Sequence, residues 1–126
     1  MAIGETLRDE IVADATLLAL VGDRVHPLVF PFNVTFPCIT YRIISGALVP
    51  NITSPPVYIT RVQYDVWSRE YDDTNEIKDA LLTLFFLLGD GNPIISTAVD
   101  LNFDLFEKGT KLYRSIVDIR VRHEGS

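Results

Sequence analysis

Cys38 is the only cysteine of the 126-residue chain, and His26 and His123 are its only histidines. One thiol and two imidazoles are therefore the whole stock for nucleophilic catalysis. A thiol becomes a nucleophile only when a neighbouring base or cation draws out its thiolate. Cys38 instead opens the apolar run CITYRIIS, where a free cysteine behaves as a small hydrophobe. The histidines lie too far apart in sequence to read as a metal pattern, and no His-Glu-x-x-His run or calcium-loop spacing accompanies them. Asp72-Asp73 fits negative charge at a helix N-terminus, and Asp100 with Asp104 has no spacing that commits it to a cation. The chain has neither a phosphate-cradling glycine loop nor a dinucleotide fingerprint. No catalytic, metal or cofactor residue is expected.

Gln63, Asp65 and Trp67 form the most informative polar and aromatic set, because they stand at alternate positions of VYITRVQYDVWS. Alternation places them on one face of a strand, with Val62, Tyr64 and Val66 on the other. The apolar face is core. The polar row either bonds neighbouring strands or forms part of an assembly surface, where large aromatics often carry binding energy. The segment 28–37, LVFPFNVTFP, poses the same choice, since Phe30, Phe32 and Phe36 follow no clear period and sit between prolines. They are either a satellite of the core beneath the sheet or a contact with another chain. The possible assembly interface is therefore Phe30, Phe32, Phe36, Gln63, Asp65 and Trp67. The alternative is a small ligand-binding domain or enzyme with a pocket beneath the 28–37 loop, using His26, Asp23 and Asp65.

The elements that must position these residues follow from periodicity. Leu7, Ile11, Ala15 and Leu18 mark one face of a first helix over about 4–20, with Gly22 placed to end it. Val25, Pro27 and Leu28 read as extended backbone. Residues 38–45 are the first well-marked strand, followed by a loop over 46–56 rich in proline. Residues 57–68 form the next strand and lead into a helix, with Asp73 and Glu76 as a capping box, Ile77, Leu81, Phe85 and Leu88 on its apolar face, and Gly89 as its stop. A turn at 90–93 precedes a run with one short strand of unclear phase. Lys108-Gly109-Thr110 marks another turn, and the last strand has Tyr113, Ser115, Val117, Ile119 and Val121 on one side. The expected fold class is α+β: one domain over 1–126, a small mostly antiparallel sheet of about four strands with two helices packed on it.

Charge narrows the partners. A net charge of −6 with dispersed Lys and Arg argues against general nucleic-acid binding, which draws on clustered cations. The start of the chain carries Glu5, Asp9, Glu10 and Asp14 rather than a basic leader, so no signal peptide or membrane anchor is expected. A lone cysteine fits a reducing compartment.

Several short signatures, in order along nearly the whole chain, resemble the tail completion, or tail-to-head joining, family of long-tailed bacteriophages and prophages. They are LLALVGDRVHP over 17–27, FPCITY over 36–41, RVQYDVW over 61–67 and Leu112-Tyr113-Arg114. His26 stands where an aromatic is usual, and LVFPF is more apolar than the corresponding segment. The resemblance implies a non-enzymatic structural protein, related to tail terminators, made in the bacterial cytoplasm and located in the virion. It implies self-association as a hexameric ring between the head connector and the tail tube.

Overall fold

The computed structural model describes residues 3–49, 56–88 and 94–124. Their elements are α1 (Ile3–Ala13), α2 (Ala15–Val21), β1 (Val25–Pro27), β2 (Cys38–Leu48), β3 (Val57–Ser68), α3 (Tyr71–Leu87), β4 (Ile94–Glu107) and β5 (Leu112–Glu124). The strands make one sheet in the order β1-β2-β3-β5-β4, antiparallel throughout except for the parallel β1–β2 pair. The α+β class stands, with five strands rather than four and three helices rather than two.

The helices share one face of the sheet. Val62, Tyr64 and Val66 of β3 and Val117, Ile119 and Val121 of β5 are fully buried there, together with Leu7, Ile11, Leu17, Ile77, Leu81 and Phe85 from the three helices. Alternation thus directs the inward rows as expected. Each such side chain contributes on the order of 1.5–3 kcal/mol by leaving water. Phe85 meets the Tyr64 ring at 5.1 Å, and Tyr41 meets the same ring at 5.9 Å. Burial first, and then Tyr41, raises the Tyr64 hydroxyl well above the ordinary phenol range.

Local chemistry divides the first helical stretch. Asp14 takes an extended conformation, and its carboxylate accepts from the Leu17 backbone N–H at 3.0 Å. That cap starts a new helix where apolar periodicity alone continued the old one. Gly22, at φ 61, closes α2 with its N–H on the Leu18 carbonyl. Asp73 is not a cap: α3 starts at Tyr71 after Glu70, which makes no side-chain cap bond. Asp73 lies instead within the first turn, where its charge still suits the helix dipole.

Two strands exceed their expected length. β2 continues through Gly46, Ala47 and Leu48, which pair with Thr60, Ile59 and Tyr58. β4 runs from Ile94 to Glu107 with register shifts at Ile94/Ser96 and Val99/Leu101. Each shift exchanges the faces of the strand, which is why no single alternation runs through it. Opposed residues share a face, so Leu101, Phe103 and Leu105, opposite Asp118, Ile116 and Arg114, lie on the side away from the helices. The Gly89 stop, the 90–93 turn and positions 50–55 of the 46–56 loop lie outside the described residues. The turn at 108–111 is present, and its positive φ falls at Lys111.

Candidate assembly surface

The outer face of the sheet is built around Trp67, the last aromatic of β3. Its register with Cys38 on β2 and Arg114 on β5 sets what surrounds the indole. The Trp67 Nε1–H donates to Thr40 Oγ1 at 3.0 Å, satisfying its one polar atom. The Arg114 guanidinium lies over the indole at 4.8 Å. Arg114 Nη2 also donates to Asp65 Oδ2 at 2.7 Å, and its Nη1 lies 3.3 Å from Glu107 Oε1. Gln63 Nε2 donates to the other Asp65 oxygen at 3.0 Å, and Arg42 donates to Gln63 Oε1 at 3.4 Å. The row Gln63, Asp65, Trp67 is therefore cross-braced by β2 and β5, and Asp65 is largely buried by its partners.

The 28–37 segment lies on this platform. Phe30 meets the Trp67 ring edge-on at 5.3 Å and Phe36 at 5.4 Å, while the Arg69 guanidinium stands 5.1 Å from the Phe36 ring. Edge-to-face aromatics at this spacing contribute roughly 0.5–1.5 kcal/mol beyond area burial. The Phe36–Pro37 peptide is cis, and Arg24 Nε donates to the Pro37 carbonyl at 2.9 Å. Five of the six expected interface residues are thus gathered in one cluster. Phe32 is the exception: its side chain is fully exposed, as are much of Leu28 and Val29. The three phenylalanines divide between an anchored base and a bare apolar tip.

Sequence reasoning did not find the second half of this face. Arg61 bridges Asp118 at 2.8 Å and Asp100 at 3.7 Å, and Arg120 reaches Asp100 at 3.3 Å. Beside them stand the exposed side chains of Leu101, Phe103 and Leu105. The alternation of β5 signalled its arginines. Their partners depended on a β3–β5 pairing that no local pattern states.

Of the groups weighed for catalysis, Cys38 and His123 are kept apart, while His26 pairs with Thr40, which itself lies opposite Asp65. Cys38 pairs with Trp67 and His123 with Tyr58 on the same sheet, nine residues along β3 and about 30 Å apart at the usual rise per residue. Burial pushes the Cys38 thiol up to about 12, against a smaller lowering by Arg24, which leaves it protonated and unreactive. His123 is buried against Thr60 Oγ1 at 2.8 Å and stacks on Tyr58. Asp100 and Asp104 face opposite sides of β4, each bound to its own cations. Among the described residues no group of three or more His, Cys, Asp or Glu side chains converges as a metal site. No described helix is long and apolar enough to cross a membrane.

The described residues thus form an α+β scaffold whose outer sheet face is braced by side-chain contacts and which leaves an apolar tip exposed. The family model described as tail completion protein gp17 matches residues 5–124, and the chain belongs to that family. It is a structural protein of the phage tail rather than an enzyme. Among solved structures, the chain is similar to a component of the virion of a native gene transfer agent particle. That match has a TM-score of 0.70 and 15% identity, covering 93% of this chain and 90% of the other. It is a likeness of fold. No curated protein matches the sequence.

Proposed function

We propose that this tail completion protein acts at the head–tail junction, where copies associate into a hexameric ring that docks between the head connector and the tail tube. The observation that carries the reading is the division of the 28–37 segment. Phe30, backed by Phe36, fixes it to Trp67, while Leu28, Val29 and Phe32 are held out to solvent. A loop with no role in contact would turn its apolar side chains inward, as contiguous exposed apolar surface marks interaction sites. Anchoring the base also lowers the ordering cost when a partner covers the tip. Family membership and the likeness to a virion component support the setting.

The test is reconstitution with the connector and tail-tube proteins of its own phage, followed by native mass spectrometry and electron microscopy. Six-fold rings seated between the two partners are expected. A chain that stays monomeric with all of them overturns the proposal.

A further inference from the structure

The sheet ends in two open edges. β1 pairs only with Ile39, Thr40 and Tyr41 of β2, and Leu28 adds one bond to the Tyr41 carbonyl. Beyond that point residues 42–48 pair with β3 on one side, meet no strand on the other among the described residues, and are exposed throughout. At the opposite end β4 is an edge along its whole length. Its second register shift ends at Leu101, and residues 101–107 then pair with β5 without interruption. Each open run is seven residues long.

An open edge is a row of unpaired backbone N–H and C=O groups, which short length, proline, charge or a bulge normally protects. β1 has the first two guards, being three residues long and ending in Pro27. The acids of 101–107 guard nothing, because they are drawn back onto their own sheet: Asp104 is held by Tyr71, Lys78 and Ser115, and Glu107 by Arg114. The exposed side chains there are Leu101, Phe103, Leu105 and Phe106. On 42–48, Arg42 bonds back to Gln63, and Ile43, Ile44 and Leu48 are exposed. The one register shift of that run, at Ile43/Ser45, leaves paired strand on both sides of it.

We infer that residues 101–107 of one copy pair antiparallel with residues 42–48 of the next, so that the sheet continues from copy to copy. The inference rests on the ring reading above and names its subunit contact. Strand direction selects a second copy as the occupant. The pairs β2–β3, β3–β5 and β5–β4 are all antiparallel, so β4 runs opposite to β2. A second copy set beside β4 in the same orientation therefore presents its β2 antiparallel, with its helices on the same face of the sheet. Lengths agree, at about 23 Å for each run. Shape agrees as well. On the helix side, 42–48 borders an open groove of about 510 Å³ lined by Ile3, Tyr41, Ile43, Gly46 and Tyr58. On β4 the exposed aromatic of that same side is Phe106, which packs on Tyr113 beside Tyr71 of α3. Pairing the two runs end to end sets Phe106 opposite Ile43, at this groove. A two-fold contact between two β4 strands leaves 42–48 bare and closes at two copies, whereas joining different edges is a head-to-tail contact that generates a ring when its rotation closes.

The experiment reads the backbone directly. Amide hydrogen exchange, followed by mass spectrometry on the wild-type chain alone and in the reconstituted ring, should slow at least tenfold in both 42–48 and 101–107 on assembly. Lysine guards then break one edge at a time, Leu101→Lys with Phe103→Lys in one chain and Ile44→Lys with Leu48→Lys in another, all at exposed side chains. Neither chain should form rings. A one-to-one mixture should form pairs and stop there, because it holds one intact β4 edge and one intact β2 edge. Rings or pairs from either guarded chain by itself, or a mixture without pairs, overturn this contact and leave the ring itself standing. Protection of one run without the other assigns that edge to a two-fold contact or to a strand of the connector or tail tube, and also overturns it. A wild-type chain that never assembles overturns the ring and the contact together.

Discussion

Arg114 and Trp67 are stacked, the guanidinium 4.8 Å from the centre of the indole. From that position Arg114 bridges Asp65 and Glu107, so one side chain ties β5 to β3 and to β4 beneath the loop that Phe30 fastens to the same ring. Only a planar, multi-donor cation does all three, which makes lysine a poor substitute.

Arg114→Lys should therefore lower stability by about 1–2 kcal/mol, and Arg114→Ala by about 2–3 kcal/mol because Asp65 then loses its cation in a mostly buried site. Urea denaturation measures both. Trp67 is the only tryptophan, so its emission also reports the platform directly, and proteolysis within 28–37 should accelerate in step.

Asp104 joins the α3 N-terminal region to the sheet. Ser115 donates to it at 2.7 Å and Tyr71 at 2.9 Å, and Lys78 pairs with it at 3.1 Å. Burial acts to raise its pKa, but these hydrogen bonds and the Lys78 charge outweigh it and hold the carboxyl below its ordinary 3.8. A depressed folded value means stability that is fully present above the unfolded value and is lost as pH falls through the folded one. Asp104→Asn should flatten the acid limb of a stability–pH profile below about pH 4 and cost under about 1 kcal/mol at neutral pH, since the pair is partly exposed. An unchanged acid limb would remove Asp104 from the account.

The inward rows were legible because β3 and β5 keep an unbroken period of two, and α3 an unbroken apolar face. β4 was not, because two register shifts reverse its faces, and a bulge leaves no local composition signal in ISTAVDLNFD. The candidate interface residues were visible as types and positions. Their division into anchored Phe30 and Phe36 and exposed Phe32 was not, since it depends on where Trp67 of a distant strand falls. The helix break at Asp14 was available in principle: a cap residue stood there, and apolar spacing spoke louder.

Asp14→Ala tests that break. Losing the bond to Leu17 N–H should cost about 1 kcal/mol, read as a lower urea midpoint with an unchanged slope. Asp14→Asn or Asp14→Ser should recover most of it, whereas if helicity through 3–21 rises without loss of stability, the cap is not what divides α1 from α2.

Cys38 should resist alkylation in the folded protein. A thiol at about 12 is almost wholly protonated at pH 8, and the side chain is fully buried, so reagents reach it through opening of the fold. Labelling should track unfolding in urea, and Cys38→Ala should leave assembly intact. Rapid labelling without denaturant would mean an exposed thiolate and a different environment for β2.

The division within 28–37 gives the most discriminating pair. Phe30 is half-buried against Trp67 and Phe36, so Phe30→Ala should destabilise the isolated chain by about 2 kcal/mol, less than the 3–5 kcal/mol of a fully buried aromatic. Phe32 packs on no ring among the described residues, and its relative exposure is 104%, so Phe32→Ser should leave the urea midpoint of the free chain where it was. In assembly the order reverses for Phe32, whose loss should weaken association with a neighbour or partner with no deficit in folding. A stable Phe32→Ser chain that assembles like wild type would remove the tip from the interface and leave its base a purely internal packing device.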